Sequence, residues 1–128
     1  MRYLHTMLRV ADLERAKRFY TEGLGFALES ERRYEDGRFT LAFLRAPGDA
    51  ADGPRIELTH NWDTASYERG NAYGHVAYAV PSIAEVQARL RKAGYDLSWG
   101  PGKTPDGRTA MAFVDDPDGY EIELLERG

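Results

Sequence analysis

Two histidines and two glutamates hold corresponding places in a sequence that runs twice through the same order of features. His5 and Glu57 lie in the first half, and His75 and Glu123 lie in the second. Imidazole nitrogens and carboxylate oxygens suit a divalent first-row metal, and four of them leave coordination positions for water. The chain has no cysteine, which excludes thiolate ligands, disulfides and cysteine nucleophiles. These four residues are therefore the candidate ligands of a catalytic metal.

Each of these residues has a less specific explanation when it is taken alone. A single histidine on a strand is more often hydrogen-bonded than metal-bound, and a single glutamate on a terminal strand is usually half-solvated. The recurrence of both pairs makes metal binding about as well supported as these alternatives. His60 has no counterpart in the second half, and we interpret it as structural. The charged run 29–33 indicates a solvated strand or loop, and residues 100–102 (Gly-Pro-Gly) indicate a turn.

The repeat predicts the elements that position the four residues. Each half opens with a strand pattern that contains its histidine, and a helix N-cap residue, Asp12 or Ser82, follows seven residues later. Both helical patterns end at a glycine, Gly25 or Gly94, where the chain can take a positive φ. The apolar residues at helical spacing are expected in the core: Leu13, Ala16, Phe19 and Tyr20 in the first half, and Ile83, Val86, Leu90 and Ala93 in the second.

Further strand patterns follow each helix. The dipeptides Ala42-Phe43 and Ala112-Phe113 lie at equivalent distances from the two histidines, and each half closes on a strand that contains its glutamate, residues 55–59 or 121–125. The order β-α-β-β-β, twice, predicts an α+β fold, because a single such unit leaves one sheet face bare and needs a partner. The connection between the halves is expected to contain a helical turn at 65–69.

Strand alternation places each histidine and glutamate on the sheet face away from the helix. Met7 and Arg9 share the face of His5, and the opposite face of that strand carries Leu4, Thr6, Leu8 and Val10. The residues that flank the two glutamates are apolar: Ile56, Leu58, Ile122 and Leu124. If the sheets curl into a trough, the four ligands converge there.

Composition restricts the functional classes. The 128 residues make one ordinary domain, and a net charge of −4 argues against a nucleic-acid partner. No apolar run approaches the ~20 residues that span a bilayer. The first residues lack the apolar stretch of a signal peptide, so we expect a cytoplasmic protein without a membrane partner.

Four segments together resemble bacterial glyoxalase I (lactoylglutathione lyase) of the vicinal-oxygen-chelate superfamily. They are LHTMLRV (residues 4–10), IELTHNW (56–62), YGHV (73–76) and DPDGYEIEL (116–124), and the resemblance covers essentially the whole chain. The DPDG motif alone is shared across the superfamily. The resemblance implies one glyoxalase-type domain over residues 1–128. Two paired modules, at about 1–62 and 73–128, would form a curved sheet around a metal site.

The same resemblance implies an activity and a ligand set. The activity is the isomerisation of the methylglyoxal–glutathione hemithioacetal to S-lactoylglutathione, which detoxifies methylglyoxal. His5 and Glu57 of one chain would join His75 and Glu123 of another in a homodimer with its sites at the subunit interface. Each site would hold one divalent metal, nickel or cobalt rather than zinc, because zinc-activated relatives are usually longer. Glu123 would act as the base, with Glu57 as its catalytic counterpart.

Substrate contacts carry over from the family in part. Arg9 and Asn61 match positions that hold the γ-glutamyl end of glutathione, and strand alternation independently places both on the ligand face. A further arginine of some relatives falls at Asn71 here, so that contact departs from the family pattern. Lys103 is the candidate for the glycyl carboxylate, although the length of its loop differs.

Other functions on the same scaffold remain alternatives. One is another enzyme: a dioxygenase with two histidines and one carboxylate, a thiol transferase or a coenzyme A epimerase. The dioxygenase is disfavoured because Glu57 would occupy a position that oxygen needs. A metal-free drug-binding protein or a pure interaction module would have no reason to keep the four polar residues at equivalent places.

Overall fold

The computed structural model describes residues 1–127 and divides the chain into two compact units. The first unit comprises Met1–Thr21 and Gly25–Glu68, and the second comprises Glu22–Leu24 and Arg69–Gly128. Gly128, the last position of the second predicted module, lies outside the described residues. Each unit contains one four-stranded sheet and one α-helix, which confirms the predicted α+β class and the twofold repeat.

The first unit has the order β-α-β-β-β. Asp12 caps its helix, since Oδ1 accepts a hydrogen bond of 3.0 Å from the backbone N–H of Arg15. The four predicted apolar residues of the helical region are buried, and the helix packs on the strand that carries Glu57. The charged run 29–33 lies in an exposed strand. The elements are β1 (His5–Arg9), α1 (Leu13–Arg18) with a π-helical continuation (Phe19–Gly23), β2 (Ala27–Tyr34), β3 (Phe39–Arg45) and β4 (Arg55–Asn61).

The second unit repeats this order. Ser82 Oγ accepts a hydrogen bond of 3.2 Å from Glu85 N–H, and Gly94 has a φ of 94°, as predicted for the two ends of the helix. Ile83 and Leu90 are buried against the sheet. No described helix is long and apolar enough to cross a membrane. The elements are β5 (His75–Val80), α2 (Ile83–Lys92), β6 (Trp99–Lys103), β7 (Ala110–Asp115) and β8 (Glu121–Glu126).

The two sheets have the same strand order and the same register. The orders are β1-β4-β3-β2 and β5-β8-β7-β6, with the first two strands of each sheet parallel. Met7 lies opposite Glu57 in one sheet, and Ala77 lies opposite Glu123 in the other. Each glutamate is therefore two positions beyond the residue that pairs with the histidine, so the histidine and the glutamate point from neighbouring strands to the same face.

Two local predictions are wrong. Residues 65–69 form no helical turn; the Tyr67 hydroxyl accepts a hydrogen bond from Asn61 instead, and Arg69 donates to the Gly119 carbonyl. These side-chain contacts hold the segment in an irregular conformation. Residues 100–102 lie in β6, where the register shifts between Trp99 and Gly102. An edge strand with a bulge accommodates glycine and proline, so this sequence does not require a turn.

Candidate metal centre

The first unit brings His5 and Glu57 together. His5 opens β1, and Glu57 lies in the middle of β4, between the buried residues Ile56 and Leu58. His5 Nε2 lies 3.2 Å from Glu57 Oε1. The burial of the two flanking apolar side chains fixes the side of the sheet from which the carboxylate projects. One imidazole nitrogen and one carboxylate oxygen thus face each other.

The second unit repeats this arrangement with His75 and Glu123. His75 opens β5, and Glu123 lies in β8 between the buried residues Ile122 and Leu124. The distance from His75 Nε2 to Glu123 Oε1 is 3.8 Å. The side chain of Glu123 is 17% exposed and that of Glu57 is 13% exposed, whereas the two histidines are more accessible. Both pairs therefore present their imidazoles to an approaching ligand.

Two phenylalanines orient the histidine rings. Phe43 lies opposite Glu57 in the strand register and meets the His5 ring edge-on at 5.4 Å between centroids. Phe113 lies opposite Glu123 and meets the His75 ring at 5.5 Å in the same manner. The sequence identified both phenylalanines as markers of the repeat but not as site residues. Their equal spacing from the histidines was the signal that could have assigned them this role.

The surroundings of the two histidines differ at one strand position. Glu121 is the register partner of His75, and its Oε1 lies 3.5 Å from His75 Nδ1. The corresponding partner of His5 is Arg55, a cation. The two pairs share their ligand geometry. The register partner of the histidine adds a further carboxylate beside the ring only in the second unit.

Of the predicted substrate-binding residues, two lie together. Arg9 ends β1 and pairs with Thr59, and Asn61 is the next residue of β4 on the same face. Asn61 Nδ2 donates a hydrogen bond of 3.0 Å to the Tyr67 hydroxyl, which fixes its amide group. Arg9 is exposed at the end of its strand.

The other predicted contacts lie elsewhere. Lys103 is the exposed last residue of β6, in register with Ala110, rather than part of a loop. Asn71 is exposed in the connection that precedes β5. His60 Nδ1 lies 3.3 Å from the Val10 carbonyl oxygen, which agrees with the structural role predicted for this histidine.

A cavity of about 430 Å³ opens beside the second pair. It is lined by Ser98, Trp99, Phe113, Asp115 and Glu121. Phe113 and Glu121 also contact His75, so the cavity shares two of its lining residues with the surroundings of this candidate ligand. Its walls combine two aromatic rings with two carboxylates.

The donor types fit a divalent metal, but each unit supplies only half of a four-ligand set. Over residues 1–127, no group of three or more histidine, aspartate or glutamate side chains lies close enough to hold an ion. Nitrogen and oxygen donors in equal number suit nickel, cobalt or zinc. The two pairs are therefore candidate half-sites.

Comparison with known families decides the relationship of this chain. Residues 2–124 match the sequence model of the Glyoxalase/Bleomycin resistance protein/Dioxygenase superfamily. The chain belongs to this superfamily. The match includes both histidines and both glutamates of the candidate half-sites.

Matches to individual proteins are more specific than the match to the superfamily. The chain is 47% identical over 127 residues to a lactoylglutathione lyase of Neisseria meningitidis, a match that covers 99% of this chain and 91% of the relative. The crystal structure of glyoxalase I from Zea mays superposes with a TM-score of 0.91 at 35% identity; the match covers 99% of this chain but 45% of the maize chain. A trypanothione-dependent glyoxalase I of Leishmania major superposes with a TM-score of 0.82 at 40% identity, covering 98% of this chain and 86% of that one.

Proposed function

We propose that the chain is a metal-dependent lactoylglutathione lyase that isomerises the methylglyoxal–glutathione hemithioacetal to S-lactoylglutathione. The observation that carries this proposal is the pair of equivalent half-sites, each with one histidine and one glutamate at the same strand register. The relatives that are 44–47% identical over nearly the full chain and bear the name lactoylglutathione lyase support it. The two units together constitute one glyoxalase-type domain in this proposal.

The four ligands are His5, Glu57, His75 and Glu123. When bound, a divalent ion supplies a Lewis acid for the two neighbouring oxygens of the substrate. Two glutamates offset the charge of such an ion. We propose nickel or cobalt as the native metal, with zinc the weaker alternative; this choice rests on the family resemblance, since nitrogen and oxygen donors suit all three metals.

Glu123 serves as the base that moves the proton. Isomerisation requires removal of the proton from the carbon that bears the sulfur and the hydroxyl group, and its return to the neighbouring ketone carbon. A carboxylate can take the proton at one carbon and deliver it at the next, so that no net proton is consumed. Glu57 occupies the equivalent place in the other half-site and acts as its counterpart on the opposite side of the substrate.

A second copy of this chain completes the site in our proposal. Large apolar side chains are exposed near both half-sites, Met7 in the first unit and Tyr73 and Trp99 in the second. A partner subunit that covered these side chains would remove their apolar surface from water. His5 and Glu57 of one protomer would meet His75 and Glu123 of the other, and the dimer would contain two such sites.

The thiol cosubstrate is glutathione in this proposal, and the enzyme acts in the cytoplasm, where thiols are kept reduced. Arg9 and Asn61 bind the γ-glutamyl end, and Lys103 binds the glycyl carboxylate. The alternative enzymes of the fold, a dioxygenase, a thiol transferase or an epimerase, are less consistent with two matched half-sites. A metal-free drug-binding protein would not need them.

Metal removal tests the proposal. We expect a chelator to abolish the formation of S-lactoylglutathione, followed as thioester absorbance, and nickel or cobalt to restore it better than zinc. Metal analysis should give one ion per site, two per dimer. Full activity in metal-free protein would overturn the enzyme assignment, whereas the highest activity with zinc would overturn only the choice of metal.

Replacing Arg9 by alanine should impair substrate binding rather than proton transfer. Arg9 lies four residues beyond His5, roughly 13 Å along the strand at ~3.3 Å per residue, which suits the far end of a tripeptide. A charged hydrogen bond to substrate is worth about 1.5–3 kcal/mol, so kcat/KM should fall about 10–150-fold, mainly through KM.

The control for Arg9 is a hemithioacetal made from a thiol without the γ-glutamyl group. Wild type should prefer glutathione strongly, and the Arg9→Ala variant should lose that preference. An unchanged preference would show that Arg9 does not recognise the thiol. A surface salt bridge, the alternative role, would contribute at most about 1 kcal/mol to stability and leave the kinetics unaffected.

A further inference from the structure

His75 has a carboxylate beside each of its two ring nitrogens. Its Nε2 lies 3.8 Å from Glu123 Oε1, and its Nδ1 lies 3.5 Å from Glu121 Oε1. The parallel pairing of β5 and β8 produces this arrangement, because it aligns Glu121 with His75 and places Glu123 one pleat further along the same face. Glu121 is exposed and belongs to no ligand pair described above.

The protonation of a neutral imidazole decides which nitrogen can bind a metal. The ring carries one hydrogen, and the nitrogen without it provides the lone pair. An acceptor next to one nitrogen holds the hydrogen there, fixes the ring orientation and makes the other nitrogen a better donor. Glu121 is the carboxylate on the Nδ1 side, and a hydrogen bond from Nδ1–H to it would leave the lone pair on Nε2.

We propose that Glu121 is a positioning residue that accepts the Nδ1 hydrogen of His75 and presents Nε2 to the metal, an inference that rests on the proposed metal site. The edge-on contact of Phe113 with the same ring restricts the rotation of the imidazole. His75 is thereby oriented from two sides before a metal binds.

In the first unit, the position equivalent to Glu121 is occupied by Arg55, which has a different role. Arg55, the register partner of His5, donates to Glu29 and to the backbone carbonyls of Gly53 and Pro54, at 2.6 and 3.2 Å. It anchors the loop before β4 and offers no acceptor to an imidazole. The two half-sites are therefore unequal, and Glu121 makes His75 the histidine whose tautomer the strand register controls.

The test measures the affinity of the purified protein for Co²⁺ by competition with a chromophoric chelator. Removal of an outer partner of a metal-bound histidine typically weakens metal binding about 10–100-fold, and we expect this loss for Glu121→Ala. Glu121→Gln keeps an acceptor oxygen without the charge, so it should restore most of the affinity.

Asp115→Asn is the matched control: Asp115 pairs with Glu121 across β7 and β8 and lines the same cavity. This variant removes one negative charge but leaves the contact between Glu121 and His75 intact, so its Co²⁺ affinity should stay within about threefold of wild type.

A second readout needs no metal. Two-bond ¹H–¹⁵N correlations of the metal-free protein report which ring nitrogen carries the hydrogen. We expect the Nδ1–H form of His75 in wild type and a shift towards Nε2–H in Glu121→Ala. Equal Co²⁺ affinities for Glu121→Ala and Asp115→Asn, or an unchanged tautomer, would overturn the proposal while leaving the proposed function intact. Failure of wild type to bind Co²⁺ would overturn both.

Discussion

Replacing Glu123 by glutamine should lower kcat by about 10²–10⁴-fold, the contribution that a general base ordinarily makes. The amide has nearly the same shape as the carboxylate but cannot accept the proton. Glu123 lies on the open face of β8, and the core beneath it is formed by Ile122 and Leu124, so the fold should persist. The measurement is kcat with the glutathione hemithioacetal, with metal content determined on the same sample.

The control for this prediction is Glu57→Gln, the same change at the equivalent position of the first unit. Both variants lose one negatively charged ligand, so a general loss of metal affinity should affect them alike. If Glu123 is the base, its variant should retain much lower turnover than Glu57→Gln when both are saturated with metal. Near-normal turnover of metal-loaded Glu123→Gln would refute its role as the base.

The repeat explains why so much of the fold could be predicted from the sequence. A strand that carries a histidine, a capped helix and a closing strand that carries a glutamate occur twice, and the period of two along each strand separates the polar from the apolar face. Burial of Ile56 and Leu58 leaves Glu57 only one direction in which to project. The structure therefore has the two pairs on the faces that alternation predicted.

The neighbours of the ligands were harder to predict, because they depend on the register between strands. Phe43 and Phe113 contact the histidines only because β3 and β7 pair with the glutamate strands at one particular register. The same holds for Glu121, which lies beside His75 through the pairing of β5 and β8. Local patterns indicate which residues share a face within one strand, but the alignment of strands is set by the packing of the whole sheet.

The predictions for residues 65–69 and 100–102 were wrong for a related reason. The segment around Tyr67 lacks the hydrogen bonds of a helix because its side chains bind the sheet instead, as the contact of Tyr67 with Asn61 illustrates. Glycine and proline in β6 resembled a turn, yet a bulge at the edge of a sheet accepts both. In each case contacts with the sheet override a weak local preference of the sequence.

Mixing two inactive variants should restore activity if the proposed dimer is correct. His5→Ala damages the first half-site of its chain, and His75→Ala damages the second. In a mixed dimer, one active site combines the intact His5 and Glu57 of one protomer with the intact His75 and Glu123 of the other. The remaining site lacks both histidines. Random exchange of equal amounts gives half mixed dimers with one good site each, so activity should rise from near zero to about a quarter of wild type.

A matched mixture shows whether recovery reflects composite sites. His5→Ala mixed with Glu57→Ala, which removes the carboxylate altogether, damages the same half-site in both chains, so every site of every dimer lacks one ligand, and activity should not exceed that of the separate variants. Native mass spectrometry of differently tagged chains establishes that exchange has occurred in both mixtures. Recovery in the first mixture alone requires that each metal site takes one pair of ligands from each protomer, because no chain in that mixture carries all four. Equal, unrestored activity in both mixtures despite full exchange would place the four ligands on one chain.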